Sequence, residues 1–250
     1  MEFLPASLVA ALILASVLAL CGGPVEGLGA RRFWARRCWI SAAAGVSVAY
    51  VFIDVLPELA LQSRALVAAA GHTALFAEQR IYLLALIAFV VLYGLQHMVL
   101  SSRAQRRGAV VEEGARDGVY WLHLAGFAAY SALVGYLLVE RAERGAATLA
   151  VYVLAMAIHF LIVDHSLSEE HGRAYRTGGH WWLAASVLSG WAVGATMPLD
   201  GVTFARLFAL LAGGVVITSL GAELPDEREG RFWPFCLGAV AFAILLLAAG

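Results

Sequence analysis

The sequence contains no lysine, so all seventeen of its basic residues are arginine, and charged residues of both signs make up only 14% of its 250 positions. Soluble domains carry about 25% charge and roughly 45–50% apolar residues. Here 62% of residues are hydrophobic, which excludes ordinary packing in water. Cysteine is scarce: Cys21, Cys38 and Cys236 form no CxxC pair and have no metal-ligand spacing, so neither a zinc ribbon nor a disulfide framework is expected. No glycine-rich phosphate loop of the GxxxxGK[ST] kind occurs, and nucleic-acid binding finds no support, because the arginine clusters read as topology signals. Met1-Glu2-Phe3 supplies no basic stretch ahead of the first apolar run, so that run is read as a span rather than a secretory signal.

What the chain has in abundance is apolar length. A spanning helix needs about 20 mostly apolar residues to cross a hydrocarbon core about 30 Å thick. Runs bounded by charge, Gly and Pro predict eight spans near residues 3–22, 38–60, 81–100, 119–139, 146–164, 181–197, 204–222 and 232–249. Together they use nearly the whole chain, giving one all-α membrane domain. Residues 61–79 mix Ala, Leu and Val with Gln62, Arg64, His72 and Glu78, and either extend the second helix or lie at the interface.

The arginines orient these spans. Arg31, Arg32, Arg36, Arg37, Arg103, Arg106, Arg107, Arg116, Arg173, Arg176, Arg228 and Arg231 fall on one side, against Arg64, Arg80, Arg141, Arg144 and Arg206 on the other. The positive-inside rule makes the larger group cytoplasmic, and an even number of spans then puts both termini outside. An arginine-only, alanine-rich composition suits a GC-rich bacterial genome, hence a bacterial cytoplasmic membrane.

Two distant segments are alike. AGVSVAYVFIDVLPE, residues 44–58, and AGGVVITSLGAELPD, residues 212–226, match at a constant offset of 168 in Ala, Gly, Val, Leu and Pro, with Glu58 matched in kind by Asp226. In an alternating topology they run in opposite directions, the plan of transporters whose inverted repeats meet at a midplane site. Chance likeness of two Gly- and Val-rich helices is the competing explanation.

VFIDVLPEL at 51–59 and AGGVVITSLGAELPDEREGRFWPFCLGA at 212–239, with the eight-span layout, resemble the Zrt/Irt-like (ZIP) family of divalent-metal transporters. The resemblance implies a 3+2+3 arrangement with inverted outer triplets, a homodimer, and a metal path lined mainly by spans four and five. The family's span four carries a His-Asn-x-x-Asp-like cluster. Here His123 precedes those positions by one turn, and Gly126, Phe127 and Tyr130 occupy them. Span five keeps His159, but Val163 stands four residues on and Asp164 one further, about 100° round the helix. The family's two-metal centre looks dismantled.

Ionisable groups within a span usually face the bundle interior or a water-filled path. His159, near the middle of span five, is the first candidate for a zinc-type ligand, with Asp164 beyond it; a buried histidine hydrogen-bonded to another helix is the alternative. His123 and His97 lie near span ends, where a solvated role is the plainer reading. Asp54 and Glu58, at i and i+4, share a helix face and form a possible cation mouth, or simply a helix end reaching headgroup water. The stretch DHSLSEEHGRAYRTGGH, 164–180, gathers Asp164, His165, Glu169, Glu170, His171 and His180. If the fifth helix continues, His165 and Glu169 chelate at i, i+4; a solvated charged loop serves the same residues without chemistry. The acidic patch Glu223, Asp226, Glu227 and Glu229 reads as helix-end charge.

The expected function is ZIP-like transport of a divalent cation, zinc or similar, through the bundle. A metal sensor or binding partner on the same fold, without transport, is the alternative. No enzymatic activity is expected: a zinc hydrolase needs about three converging ligands and an open position for water.

Overall fold

The computed structural model of the protein describes residues 3–21, 30–70, 76–105, 113–197, 200–221 and 232–249. Every regular element among them is a helix: α1 Phe3–Cys21, α2 Ala30–Tyr50, α3 Leu56–Ala70, α4 Ala77–Gln105, α5 Glu113–Glu143, α6 Ala146–His171, α7 His180–Thr196, α8 Gly201–Gly221 and α9 Phe232–Ala249. π-helical turns at Val51–Val55 and Tyr175–Gly179 lead into α3 and α7. Six segments are long and apolar enough to cross a bilayer, in α1, the α2–α3 run, α4, α5, α6 and α8. The apolar stretch of α9, Phe232–Ala248, is shorter, and α7 has 17 residues. The described residues are therefore all-helical in their regular structure, and the composition of the chain suits embedding in a membrane.

Two stretches that the sequence left open are helical. α2, the π turn and α3 continue as one rod to Ala70, so much of 61–79 extends the second helix. Residues 71–75 lie outside the described ones. α6 continues past Asp164 to His171, where Gly172 adopts φ +57° and donates its N–H to Ser168 O at 2.9 Å. The charged stretch 164–180 is thus mostly helix rather than loop. Charge halts an apolar run but does not end a helix once the chain leaves the hydrocarbon.

Leu14, Leu18, Leu137, Leu138, Met156, Phe160, Leu183 and Val187 join α1, α5, α6 and α7 in a core closed to solvent. Trp191 on α7 donates its indole N–H to Ser7 Oγ on α1 at 3.0 Å. Small residues bring helices close, as they do in membranes where lipid tails leave no hydrophobic drive between helices. α7 packs on α5 through Gly190 and Gly194: a Cβ at Gly190 would stand 1.8 Å from Ala132 O. Gly45 of α2 meets the α9 backbone at Phe235 in the same way, and Gly213 of α8 meets α4 at Ala85.

The outer surface is apolar. Leu83, Leu86, Val90 and Val91 on α4 and Leu237, Val240, Ile244 and Leu247 on α9 are exposed. Such faces would associate in water and are natural against lipid. Trp121, Trp181 and Trp182 are also exposed, the first and last in edge contact at 6.4 Å, where α5 and α7 begin. Aromatic residues of this kind favour the membrane–water boundary.

Candidate metal centre

α5 and α6 form a hairpin turning at Gly145, which adopts φ +124°. His123 lies 22 residues before that turn and His171 26 after it. At 1.5 Å per residue they stand about 33 and about 39 Å from it, close enough in depth for long side chains to meet. Glu170 and His171 are consecutive on α6 and point about 100° apart, so they flank the ring that α5 presents.

The result is a cluster of His123, Glu170 and His171 whose ligand atoms all lie within 4.8 Å of one another. His123 Nδ1 and His171 Nε2 share a hydrogen bond of 2.9 Å, one ring N–H donating to the other. Glu170 Oε2 is 3.6 Å from the same Nδ1. Two imidazoles and a carboxylate suit zinc and its first-row neighbours. With bonds of about 2.0–2.1 Å, tetrahedral ligands sit about 3.4 Å apart, so an ion fits after shifts of an ångström or so. Phe127 and Tyr120 set ring edges against His123 and His171 at 5.1 and 5.0 Å.

His123 is 2% exposed, and its Nε2 has no hydrogen-bond partner among the described residues. It borders a cavity of about 20 Å³ shared with Gln96, Ser166, Glu170 and Thr218. That volume holds one water-sized particle. Thr218 joins the cavity to the deeper histidine: its hydroxyl donates to Gly214 O at 2.8 Å, and its oxygen lies 3.2 Å from His159 Nε2. His159 is thus buried on α6, one side chain beyond the cavity, rather than in the cluster itself.

The other sequence candidates are placed elsewhere. Asp164 is buried and accepts a 2.7 Å hydrogen bond from Tyr175 Oη, a residue of the second π turn. Tyr120 Oη donates to Ala174 O at 3.2 Å, so Asp164 and Tyr120 brace the turn that follows His171. His165 and Glu169 do pair at i, i+4, 3.3 Å apart, with Glu169 exposed. That pair is separate from the cluster.

Asp54 and Glu58 face arginines at the opposite end of α5. Arg144 forks onto Glu58 through Nη1 and Nη2 at 2.7 and 2.8 Å, and its Nε bonds Glu140. Gln62 donates to the same Glu58 at 2.7 Å. The hydrogen bonds it donates to Glu58 push the Arg144 guanidinium above its already high range. Arg141 reaches Asp54 at 3.4 Å and lies over the rings of Tyr152 and Phe208. A cation mouth on Asp54 and Glu58 must therefore compete with two guanidinium groups. His97 is at the surface beside Ser101 and Tyr93. The acidic patch Glu223–Glu229 and the Leu224-Pro225-Asp226 end of the second repeat lie outside the described residues.

Glu170 and His171 were visible in the sequence only as members of a charged stretch. The available signal was the similar distance of His123 and His171 from the hairpin turn, legible once α6 is carried through to residue 171. The chain matches no family model, no curated protein and no solved structure.

Proposed function

We propose that this protein is a ZIP-like membrane carrier of a divalent cation, zinc or similar, which the ion enters or leaves through His123, Glu170 and His171. The observation that carries the reading is the convergence of two imidazoles and a carboxylate from α5 and α6, with the buried His123 Nε2 unpartnered beside a cavity. Those are spans four and five, the pair that lines the metal path in the family resembled. The reading includes eight spans in a 3+2+3 arrangement, with α7 and α9 crossing despite their length and both termini outside a bacterial cytoplasmic membrane. The matched glycines support it: Gly45 packs on α9 and Gly213 on α4, equivalent neighbours if the outer triplets are inverted copies. Hydrolysis is disfavoured, because Gln96, Ser166 and Thr218 around the cavity are neutral, and Glu170, the carboxylate there, is itself a ligand.

Equilibrium binding of zinc, cadmium, manganese and iron to purified protein tests the site, and uptake into proteoliposomes loaded with a zinc-sensitive dye tests transport. Binding and uptake that both fail in His123→Ala support the carrier. Binding without flux assigns the non-transporting metal sensor instead. No binding of any ion by folded protein overturns both.

A further inference from the structure

The second polar cluster sits at the far end of α5 from the metal centre. α3 packs mainly on α4 and α8, and the link from it and the π turn before it to the end of α5 is made by charged side chains: Asp54 of the turn to Arg141 and Glu58 of α3 to Arg144, with Glu140 and Gln62 flanking. The pairing runs along both helices, i and i+4 on one, i and i+3 on the other, so it acts as a zipper between elements that are not otherwise closely packed.

Three features set it apart from a static brace. Arg141 is 3% exposed, its Nε has no hydrogen-bond partner among the described residues, and its contact with Asp54 is a long 3.4 Å. A buried ion pair this incompletely satisfied is poor value as stabilisation, because desolvating the guanidinium offsets much of the attraction. Asp54 belongs to the π turn Val51–Val55, inside an otherwise continuous rod from Ala30 to Ala70. Such turns interrupt the regular backbone ladder and recur at hinges and functional sites. Finally, the arginines stand in the last turn before Gly145, where the hairpin reverses.

We propose that this zipper is a gate: α3 swings about the π turn, the ion pairs close the bundle at the end remote from His123, and their release opens it. The proposal rests on reading the bundle as an ion path, but its readout is thiol accessibility, which needs no metal. Ser47 is a suitable reporter, 3% exposed and one helical turn before Tyr50, whose electrostatic neighbours are Arg141 and Asp54.

The experiment uses the full chain in proteoliposomes, with Cys21, Cys38 and Cys236 replaced by alanine and Ser47→Cys introduced, reacted with a membrane-impermeant maleimide. Glu58→Gln and Arg144→Met should each speed labelling about tenfold, the scale of a lost charge-assisted hydrogen bond. Arg144→Lys, which keeps a cation against both Glu58 and Glu140, should label near the parent rate. Met156→Cys, fully buried in the core, should label at the parent rate in every background. Unchanged labelling of Ser47→Cys in the Glu58→Gln and Arg144→Met proteins, acceleration in Arg144→Lys as large as in Arg144→Met, or equal acceleration at Met156→Cys would each overturn the gate. Metal binding at His123 is measured separately, so its failure leaves this result standing.

Discussion

At the residue scale, the consequences follow from what each side chain touches. His123→Ala removes the group that contacts both partners, and Glu170→Gln removes the charge that favours a dication. Each is expected to weaken zinc binding beyond the roughly 10–100-fold typical of outer-shell changes, as titration against a competing chelator would record. His159→Ala should cost less, because Thr218 separates it from the cluster. Tyr175→Phe leaves the buried Asp164 without its 2.7 Å donor. A loss of about 1–3 kcal/mol is expected, seen as a lower melting temperature in detergent. The spacing of Asp54 and Glu58 on one face was legible in the sequence, but their arginine partners were not, since Arg141 and Arg144 lie more than eighty positions away.

At the element scale, glycines offer a controlled comparison. Gly190→Ala drives a Cβ into the Ala132 carbonyl, so α7 must move away from α5 at a cost of about 1–3 kcal/mol. Gly94→Ala on α4 meets nothing within 4 Å and should be neutral or stabilising. Thermal unfolding of the two variants in one detergent separates them. The start of α8 carries an N-cap: Asp200 accepts from the Val202 and Thr203 N–H groups and from the Thr203 hydroxyl. Those bonds, the hydroxyl's first, hold its carboxyl below the usual carboxylate range. A pKa depressed on folding stabilises above the unfolded value and loses that contribution as pH falls through the folded one. Amide exchange at Val202 and Thr203 should therefore be pH-insensitive in its protection above about pH 5 and lose protection in strong acid. Asp200→Ala should lack that protection at every pH. The apolar runs located the helices well, while helix ends escaped, because α3 and the last turns of α6 are polar enough to resemble loops.

At the scale of the whole molecule, the arginine bias makes a prediction about sidedness. The α5–α6 hairpin and the α6–α7 turn lie at opposite ends of α6. In whole cells, Glu143→Cys should react with an impermeant thiol reagent, whereas Arg173→Cys should react only after the membrane is opened. The reverse pattern would invert the proposed topology and place the His123, Glu170 and His171 cluster at the outer face.

The sequence by itself determined that the chain is helical and suited to a membrane, because hydropathy is a property of composition and run length, and 62% apolar content in long runs leaves few other solutions. It also named the pool from which the candidate metal ligands come. The tertiary structure alone decided the membership: His123 meets Glu170 and His171 across a hairpin, while Asp54 and Glu58 meet arginines and Asp164 meets a tyrosine. A ligand set is a matter of depth and rotation between helices, and both depend on where each helix ends and how closely glycines let it approach its neighbours.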